Sequence, residues 1–533
     1  MKKTLIPFCC IVAIAAFLRF WHLSGVPVSP NWDEVALGYN AYSILKTGRD
    51  EYGVHFPIVL RSFNNYTPAL YSYLAIPGMA ILGLSVFTTR LPSAVMGVIA
   101  VIGTFFLTRE LLGLQCANRR RNTNLALLTM FLLALSPWHI QFSRVAFEAN
   151  PALTLCIWGL TFFLLGLNKP IWYLASAIMY GLSINAYHSP RLFVPLFVAG
   201  LAFIFREKLR KQKKNLLTPL LISGLFFLPF IYFIATNQGQ NIVARFSETT
   251  IVTQSQAPSL HPKALSLLFD SKIPNMVFSI LNGYLTHFSP AWLLITGDND
   301  RHHAPSMGLL YLFEYPFLLW GLYTIIRSKG KIRSMLLLWI LLSPIPASLT
   351  SEVPHAVRTL IVLPSLQIAV ALGIERFYRR TILVRLPFRA TLWVVSSFVA
   401  GFFMLQYLHL YFYEMNLEES RFWQFGYEHA VNYVLQNKQK YQHIVVSNRL
   451  EEPYIFFLYY LRYDPKTYLR EGGTKNTEDQ SFGPYEFRGI TWPVEHHDGK
   501  TLYVLAPIDK PKNSPILHTI RYFDGSESIL MAQ

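Results

Sequence analysis

The chain has 533 residues, 52% of them hydrophobic and only 14% charged, where a soluble globule carries roughly 25% charged residues. That deficit excludes an ordinary water-soluble enzyme and leaves room for many spans of about 20 residues plus one compact domain. The net charge of +17 does not make the chain a nucleic-acid binder, because Lys and Arg gather in short segments between apolar runs, such as Arg119–Arg121 and Lys208–Lys214, as they do in cytoplasmic loops.

Met1–Lys2–Lys3 opens an apolar run that continues through Phe20 and Trp21 with no small-residue cleavage site. It reads as an uncleaved anchor with its N-terminus inside. Apolar runs follow near 69–87, 91–113, 124–140, 151–167, 171–187, 191–205, 216–235, 307–326, 334–349, 358–375 and 390–408. If every run crossed, Arg119–Arg121 and all later basic loops would lie outside, against the positive-inside rule. The run 69–87 follows Pro68, is interrupted by Pro77, Gly78 and Gly83, and carries Tyr71 and Tyr73, which suits an interfacial element.

Eleven spans remain, with the basic loops 118–121, 206–214, 327–333 and 376–389 in the cytoplasm. The outer side receives 24–90, 141–150, 186–190, 236–306, 350–357 and a tail from 409 to 533. Two domains follow: a membrane part, 1–408, and a small extracytoplasmic α/β domain, 409–533. In the tail, the pattern predicts a helix over Glu428–Gln439, a strand over His443–Ser447, a helix within Pro453–Tyr463 and a strand over Thr501–Leu505. None of the cysteines, Cys9, Cys10, Cys116 and Cys156, falls in an outer segment, so no disulfide framework is expected.

The candidate chemistry lies in the outer loops. In the first, Asn31–Trp32–Asp33–Glu34 opens a stretch of helical spacing over 33–46. Asp33 at the helix start is either a general base, ionised with help from the helix dipole, or a helix cap beside a solvated Glu34. In the second loop, Arg144 and Glu148 lie four residues apart. They read either as a helical ion pair or as a phosphate contact with a second carboxylate.

The third loop holds Asn185, Tyr187, His188 and Arg191, and His188 is either an interfacial histidine or a ligand-binding one. Gly297–Asp298–Asn299–Asp300–Arg301–His302–His303 closes the fourth loop; this polar cluster, with Arg301, His302 and His303, suits phosphate, sugar or a metal ion, though its spacing matches no defined metal motif. Arg358, on the outer side behind Glu352 and His355, calls for an anionic partner, either a lipid phosphate or Glu352 itself.

In that order these stretches resemble the GT-C glycosyltransferases of the protein-mannosyltransferase and aminoarabinose-transferase type, in their uncharacterised bacterial branch. The matching residues are Asn31–Glu34, Thr47–Pro57, Arg90–Ser93, Ser136–Asn150, Gly297–Gly308 and Tyr311–Pro316. The resemblance covers roughly residues 1–410. It implies a GT-C fold with amphipathic helices in the first outer loop, Asp33 as catalytic base and Glu148 as the second acidic residue. It also implies a polyprenyl-phosphate monosaccharide as donor and inverting transfer to an extracytoplasmic acceptor. One position departs: where the aminoarabinose branch carries a lysine before the helix-opening proline, this chain has Thr67 before Pro68. The phosphate contact must then come from Arg144, Arg301 or Arg358, and that branch's sugar, acceptor and metal are not implied.

The expected function is thus a multi-pass plasma-membrane glycosyltransferase, N-terminus cytoplasmic and active face outside. Asp33, Glu34 and Glu148 form its acidic set, and Arg144, His188, Arg301, His302, His303 and Arg358 hold donor phosphate or sugar. Expected partners are the lipid-linked donor, a glycan, lipid or protein acceptor and the bilayer, with no metal or other cofactor required. The rival readings are a transporter or flippase of lipid-linked glycans, which would favour polar residues within spans and repeated halves, and a non-catalytic glycan-binding sensor. Within the enzyme class, a polymerase or ligase of lipid-linked glycans comes second.

Overall fold

Prolines and turns decide how the apolar runs fold. The computed structural model describes residues 2–63, 65–115, 118–229, 231, 272–475, 479–495, 499–511 and 515–533. Cys116, the end of the run 216–235 and most of the first half of the loop 236–306 lie outside these described residues. Among them, three helices are long and apolar enough to cross a membrane: Val86–Gly113, Ala149–Gly166 and Leu386–Glu418. Two bent pairs raise this to five. Arg119–Leu135 meets Pro137–Arg144 at 57°, and Ala356–Val362 meets Ser365–Thr381 at 54°, each break lying at a proline that cannot continue the backbone hydrogen-bond ladder.

Other apolar helices, such as Trp172–Ile184 and His188–Ile204, are shorter. The count of clear spans is therefore below the eleven expected from composition, because the runs are cut into pieces. Leu70–Leu82, with Pro77 inside it, has 13 residues, about 20 Å of helix, which does not traverse a hydrocarbon core of roughly 30 Å. Leu386–Glu418 presents Leu386, Phe388, Val394, Phe398, Phe402 and Leu405 outward, an apolar surface suited to lipid rather than water.

Contacts divide the chain into two compact units. One comprises Met1–Trp21, Ser93–Ser143 and Phe147–Leu408; the other comprises His22–Pro92, Arg144–Ala146 and His409–Gln533. The tail thus packs with the first outer loop, which sequence alone had placed in the membrane part; long-range packing, invisible in local composition, draws that boundary.

Within the first unit, loops gather into two sets. Arg121 forms a bidentate pair with Glu375 at 2.6 and 2.7 Å, Gln115 donates to the Lys329 carbonyl, and Lys331 lies over the Phe205 ring. These contacts join the basic segments 118–121 and 327–333 to residues that border the other basic segments. A separate set joins the outer segments: Gln141 donates to the Arg301 carbonyl, and Asp298 accepts from the Ala356 amide.

The second unit is built on a six-stranded sheet. Its strands are β3 (His443–Ser447), β4 (Gln480–Phe482), β5 (Tyr485–Arg488), β6 (Thr501–Leu505), β7 (Ile516–Arg521) and β8 (Glu527–Ala532), in the order β4-β5-β3-β6-β8-β7. β3 pairs parallel with β5 and β6, and the remaining pairs are antiparallel. β3 and β6 are buried almost throughout, which explains why their unbroken apolar runs marked them in the sequence. The helices Tyr427–Asn437 and Pro453–Tyr460 fall where periodicity predicts them. A hairpin, β1 (Val59–Ser62) with β2 (Asn65–Pro68), belongs to the same unit.

The core of this unit interleaves Val35, Ala36 and Tyr39 of the Trp32–Thr47 helix with Tyr454, Ile455 and Phe457 of the tail. Gly38 permits that approach, since a Cβ there would come within 2.6 Å of the Thr89 hydroxyl and 2.7 Å of the Tyr459 ring.

Candidate active site

The Trp32–Thr47 helix begins with a capping box. The Asn31 side chain accepts from the Glu34 amide at 3.0 Å, and the Glu34 carboxylate accepts from the Asn31 amide at 3.3 Å. The cap is therefore Asn31 and not Asp33, which leaves Asp33 in the first turn, half-buried, where the aligned peptide dipoles favour its ionised form. Helix capping thus no longer accounts for the aspartate.

Glu34 differs from its neighbour in kind. It is fully buried, and Arg90 forks onto it at 2.8 and 3.1 Å. The Ala146 amide donates to the same carboxylate at 2.8 Å. Arg90 spends its remaining N–H groups on the carbonyls of Leu23, Pro27 and Ser29, so every guanidinium proton is matched. Glu34 was expected in the catalytic set; four donors close in its oxygens, and these bonds hold the turn that carries Asp33. Arg90 escaped the site reading because an arginine ahead of Leu91–Pro92 gives no local sign of its partner.

Arg144 is likewise engaged within the fold. Its guanidinium is buried, donates to the His22 and Val26 carbonyls at 3.3 and 3.1 Å, and stacks over Phe412 and Tyr411. A lipid phosphate would have to strip it of these partners. Arg144, Arg90 and Asn416, which donates to the Gly25 carbonyl, together pin the His22–Pro30 segment.

The tail supplies a carboxylate that sequence reasoning missed. The Trp32 amide donates to Gln424 at 2.8 Å, and Gln424 donates to Glu451 at 3.0 Å. This chain of bonds sets the Glu451–Glu452 corner against the turn that holds Asp33. Glu452 adopts a left-handed conformation, φ 49° and ψ 48°, and one of its carboxylate oxygens is buried with no hydrogen-bond partner among the described residues. Burial first, and then the Asp33 charge, push its carboxyl up to about 7.

Glu51 is the lock between loop and tail. Its side chain accepts from Asn40 at 3.0 Å and Thr474 at 2.9 Å, and its backbone exchanges bonds with Asn40 and Thr474. Burial pushes it up to about 7 in spite of those bonds. In the folded state it keeps a proton between pH 4.5 and about 7 that the unfolded chain releases. Stability must therefore fall as pH rises through that window, by on the order of 3 kcal/mol. Glu51→Gln is expected to flatten this part of the curve of melting temperature against pH; an unchanged slope would remove Glu51 as its source.

The first unit holds a second cluster. Asp298 accepts from His302 at 3.0 Å and from the Ala356 amide at 2.7 Å, and His355 approaches it at 4.0 Å. His302 is packed among Phe142, Phe147 and the His355 ring. Against the cost of its own burial, the hydrogen bond and charge of His302 hold the Asp298 carboxyl below its ordinary range. Burial, then the Arg358 charge and the other histidines, hold His355 well below the usual histidine value.

His303 instead turns its Nδ1 to the Ala304 carbonyl. His188 opens the His188–Ile204 helix and meets Arg191 at 3.0 Å. Glu148 is buried just ahead of the Ala149–Gly166 helix. Arg358 donates to Thr350 at 2.7 Å and reaches the exposed Glu352 at 3.4 Å. It also lines a small cleft of about 10 Å³ with Ala149, Leu153, Tyr187, Ser189 and Ile361. Of the predicted residues, Asp33 and Glu34 thus share one corner, while His302 lies beside Asp298 and His355.

Known proteins bear on this arrangement. Residues 67–233 match the family model described as dolichyl-phosphate-mannose-protein mannosyltransferase. Among solved structures, ArnT from Cupriavidus metallidurans in the apo state matches with a TM-score of 0.57 at 12% identity, over 98% of this chain and 97% of that one. The same protein bound to undecaprenyl phosphate matches equally, with a TM-score of 0.57, 12% identity and the same coverage. The Archaeoglobus fulgidus oligosaccharyltransferase in the apo form gives 0.49 at 15% identity, over 86% of this chain and 63% of that one. No curated protein matches the chain. Residues 67–233 thus carry the signature of that family, and the chain as a whole has the fold of ArnT.

Proposed function

We propose that this protein transfers a monosaccharide from a polyprenyl-phosphate donor to an extracytoplasmic acceptor with inversion, and that Asp33 is the general base. The observation that carries the reading is the division of labour at the start of the Trp32–Thr47 helix. Asn31 caps it, Glu34 and Arg90 lock it, and Asp33 is left half-buried beside Glu452. A general base needs this combination of fixed position and access.

Asp33 takes the proton from the acceptor hydroxyl or amine as that atom bonds to the anomeric carbon, and the bond from that carbon to the lipid phosphate breaks. The phosphate leaves with the electron pair. Glu452, poised near neutrality, accepts the proton from Asp33 and passes it to solvent. Arg358 suits the departing phosphate, since its cleft is largely apolar with one guanidinium, and its bond to exposed Glu352 is readily exchanged. The undecaprenyl phosphate bound by the similar ArnT supports this class of donor.

The segregation of basic and histidine-rich loops into separate sets supports eleven spans, a cytoplasmic N-terminus and an active face outside the plasma membrane. Purified protein incubated with a labelled polyprenyl-phosphate sugar tests the reading. Donor consumption with acceptor labelling supports it; intact donor moved across a vesicle membrane would instead indicate a transporter, and binding without turnover a sensor. Arg358→Ala is expected to weaken donor binding about 10–100-fold, the worth of one charge-assisted contact. An unaltered Kd for the labelled donor would place the phosphate elsewhere.

A further inference from the structure

We propose that residues 168–173 and 206–214, together with Lys331, form a binding site for an acidic phospholipid. The cations hold its phosphate, and its acyl chains lie along the neighbouring helix ends. The site lies wholly within the first unit, needs only a bilayer around it and does not rest on the transferase reading.

A basic loop between apolar helices is by itself only a topology signal, but this one carries charge without compensation. Arg206–Lys214 holds six cations and one acid, Glu207. Among the described residues none of the six forms an ion pair, nor does Lys169 or Lys331. By contrast, Arg121 and Arg379 share Glu375 at 2.6 and 3.0 Å. Like charges held this close repel one another, and a bound anion relieves that repulsion.

The surface is also built rather than loose. Lys208 donates to Asn168 Oδ1 at 3.1 Å, Gln212 donates to the Leu167 carbonyl at 3.3 Å, and the Tyr173 hydroxyl donates to Gln212 at 2.7 Å. Lys331 joins them from a third segment, its Nζ 4.9 Å from the centre of the Phe205 ring. Arg206 and Arg210 stand four apart on the short helix Arg206–Lys211 and so share one face. The guanidinium fork matches phosphate oxygens.

An apolar margin borders the cations and decides what kind of anion fits. Ile171 and Phe203 are 72% and 68% exposed, and Leu217, Leu220 and Leu221 of the Leu217–Leu225 helix are exposed as well. Trp172 stacks on Phe162 with centroids 5.2 Å apart, and a tryptophan beside such a loop suits the membrane–water interface. The apolar side chains then lie at acyl-chain depth and the cations at headgroup depth. Arg206 marks the junction, its guanidinium 4.7 Å from the centre of the Phe203 ring. A free phosphate would use the cations alone; a phospholipid uses both parts of the surface.

The test uses the full-length protein in detergent, titrated with phosphatidylglycerol or with phosphatidylcholine of the same acyl chains, and counts retained lipids by native mass spectrometry. The wild type should hold phosphatidylglycerol at least about tenfold more tightly, and the preference should fade in high salt. Neutralising Arg210, Lys211, Lys213 and Lys214 to Gln leaves the Lys208 and Gln212 bonds in place and should remove most of the preference. Neutralising Arg376, Arg380, Arg385 and Arg389 to Gln, four charges of another basic segment, should leave it. Equal retention of the two lipids by the wild type, a result independent of how the variants fold, would overturn the proposal. So would an equal loss of preference in both quadruple variants, or displacement of phosphatidylglycerol by inorganic phosphate.

Discussion

Asp33→Asn is expected to lower sugar transfer by about 10²–10⁴-fold, the usual contribution of a positioned base, while leaving the protein folded and inserted. The fold should survive because the helix start does not depend on Asp33: Asn31 supplies the cap, and Glu34 closes the box. Asparagine keeps the size of the side chain and removes only its ability to take a proton. The loss should appear in kcat with donor binding preserved, since the phosphate contact is assigned to Arg358. Retention of full activity by Asp33→Asn, measured with the labelled donor, would falsify the assignment. Glu452→Gln should act differently, shifting the acidic limb of the pH–rate profile rather than abolishing turnover, because its carboxyl lies up to about 7 beside the Asp33 charge.

Arg90→Met is expected to produce the largest loss of stability in the second unit, about 3–5 kcal/mol, as is usual when one partner of a buried ion pair is removed. Glu34 would remain a buried carboxylate with only the Asn31 and Ala146 amides as donors. The carbonyls of Leu23, Pro27 and Ser29 would lose their donors as well. A second change, Glu34→Gln in the Arg90→Met background, should recover part of the loss by removing the stranded charge. Thermal unfolding in detergent measures both. If the double variant were less stable than Arg90→Met by the full cost of a separate Glu34 change, the two residues would not be coupled as the distances require.

These expectations differ in how far the sequence alone supports them. The strands His443–Ser447 and Thr501–Leu505 were legible because they are buried on both faces and so read as unbroken apolar runs. The helix carrying Asp33 was legible from its spacing and its Asn31–Glu34 start. Arg144 was read either as the ion-pair partner of Glu148 or as a phosphate contact, because an ionisable residue beside the bilayer is costly. In the folded chain its partners are neutral carbonyls and aromatic rings, which leave no trace at a fixed distance in sequence. Arg90 and Glu51 were missed for the same reason, since Glu51 finds Thr474 far along the chain.

What the sequence by itself determined was class. A scarcity of charge and basic loops between apolar runs marked a membrane protein, and an ordered set of acidic and basic segments gave its resemblance to the GT-C type, with Asp33 as the residue to watch. Those properties are local, because hydropathy and residue type act wherever they stand. Only the tertiary structure separated Asp33 from Glu34, leaving one half-buried and closing the other in among donors. That distinction rests on what surrounds each carboxylate: donors from residues 31, 90 and 146 at Glu34, and the Glu452 carboxyl of the tail near Asp33. Burial and partnership are properties of packing, and adjacent residues on one helix turn can meet entirely different surroundings.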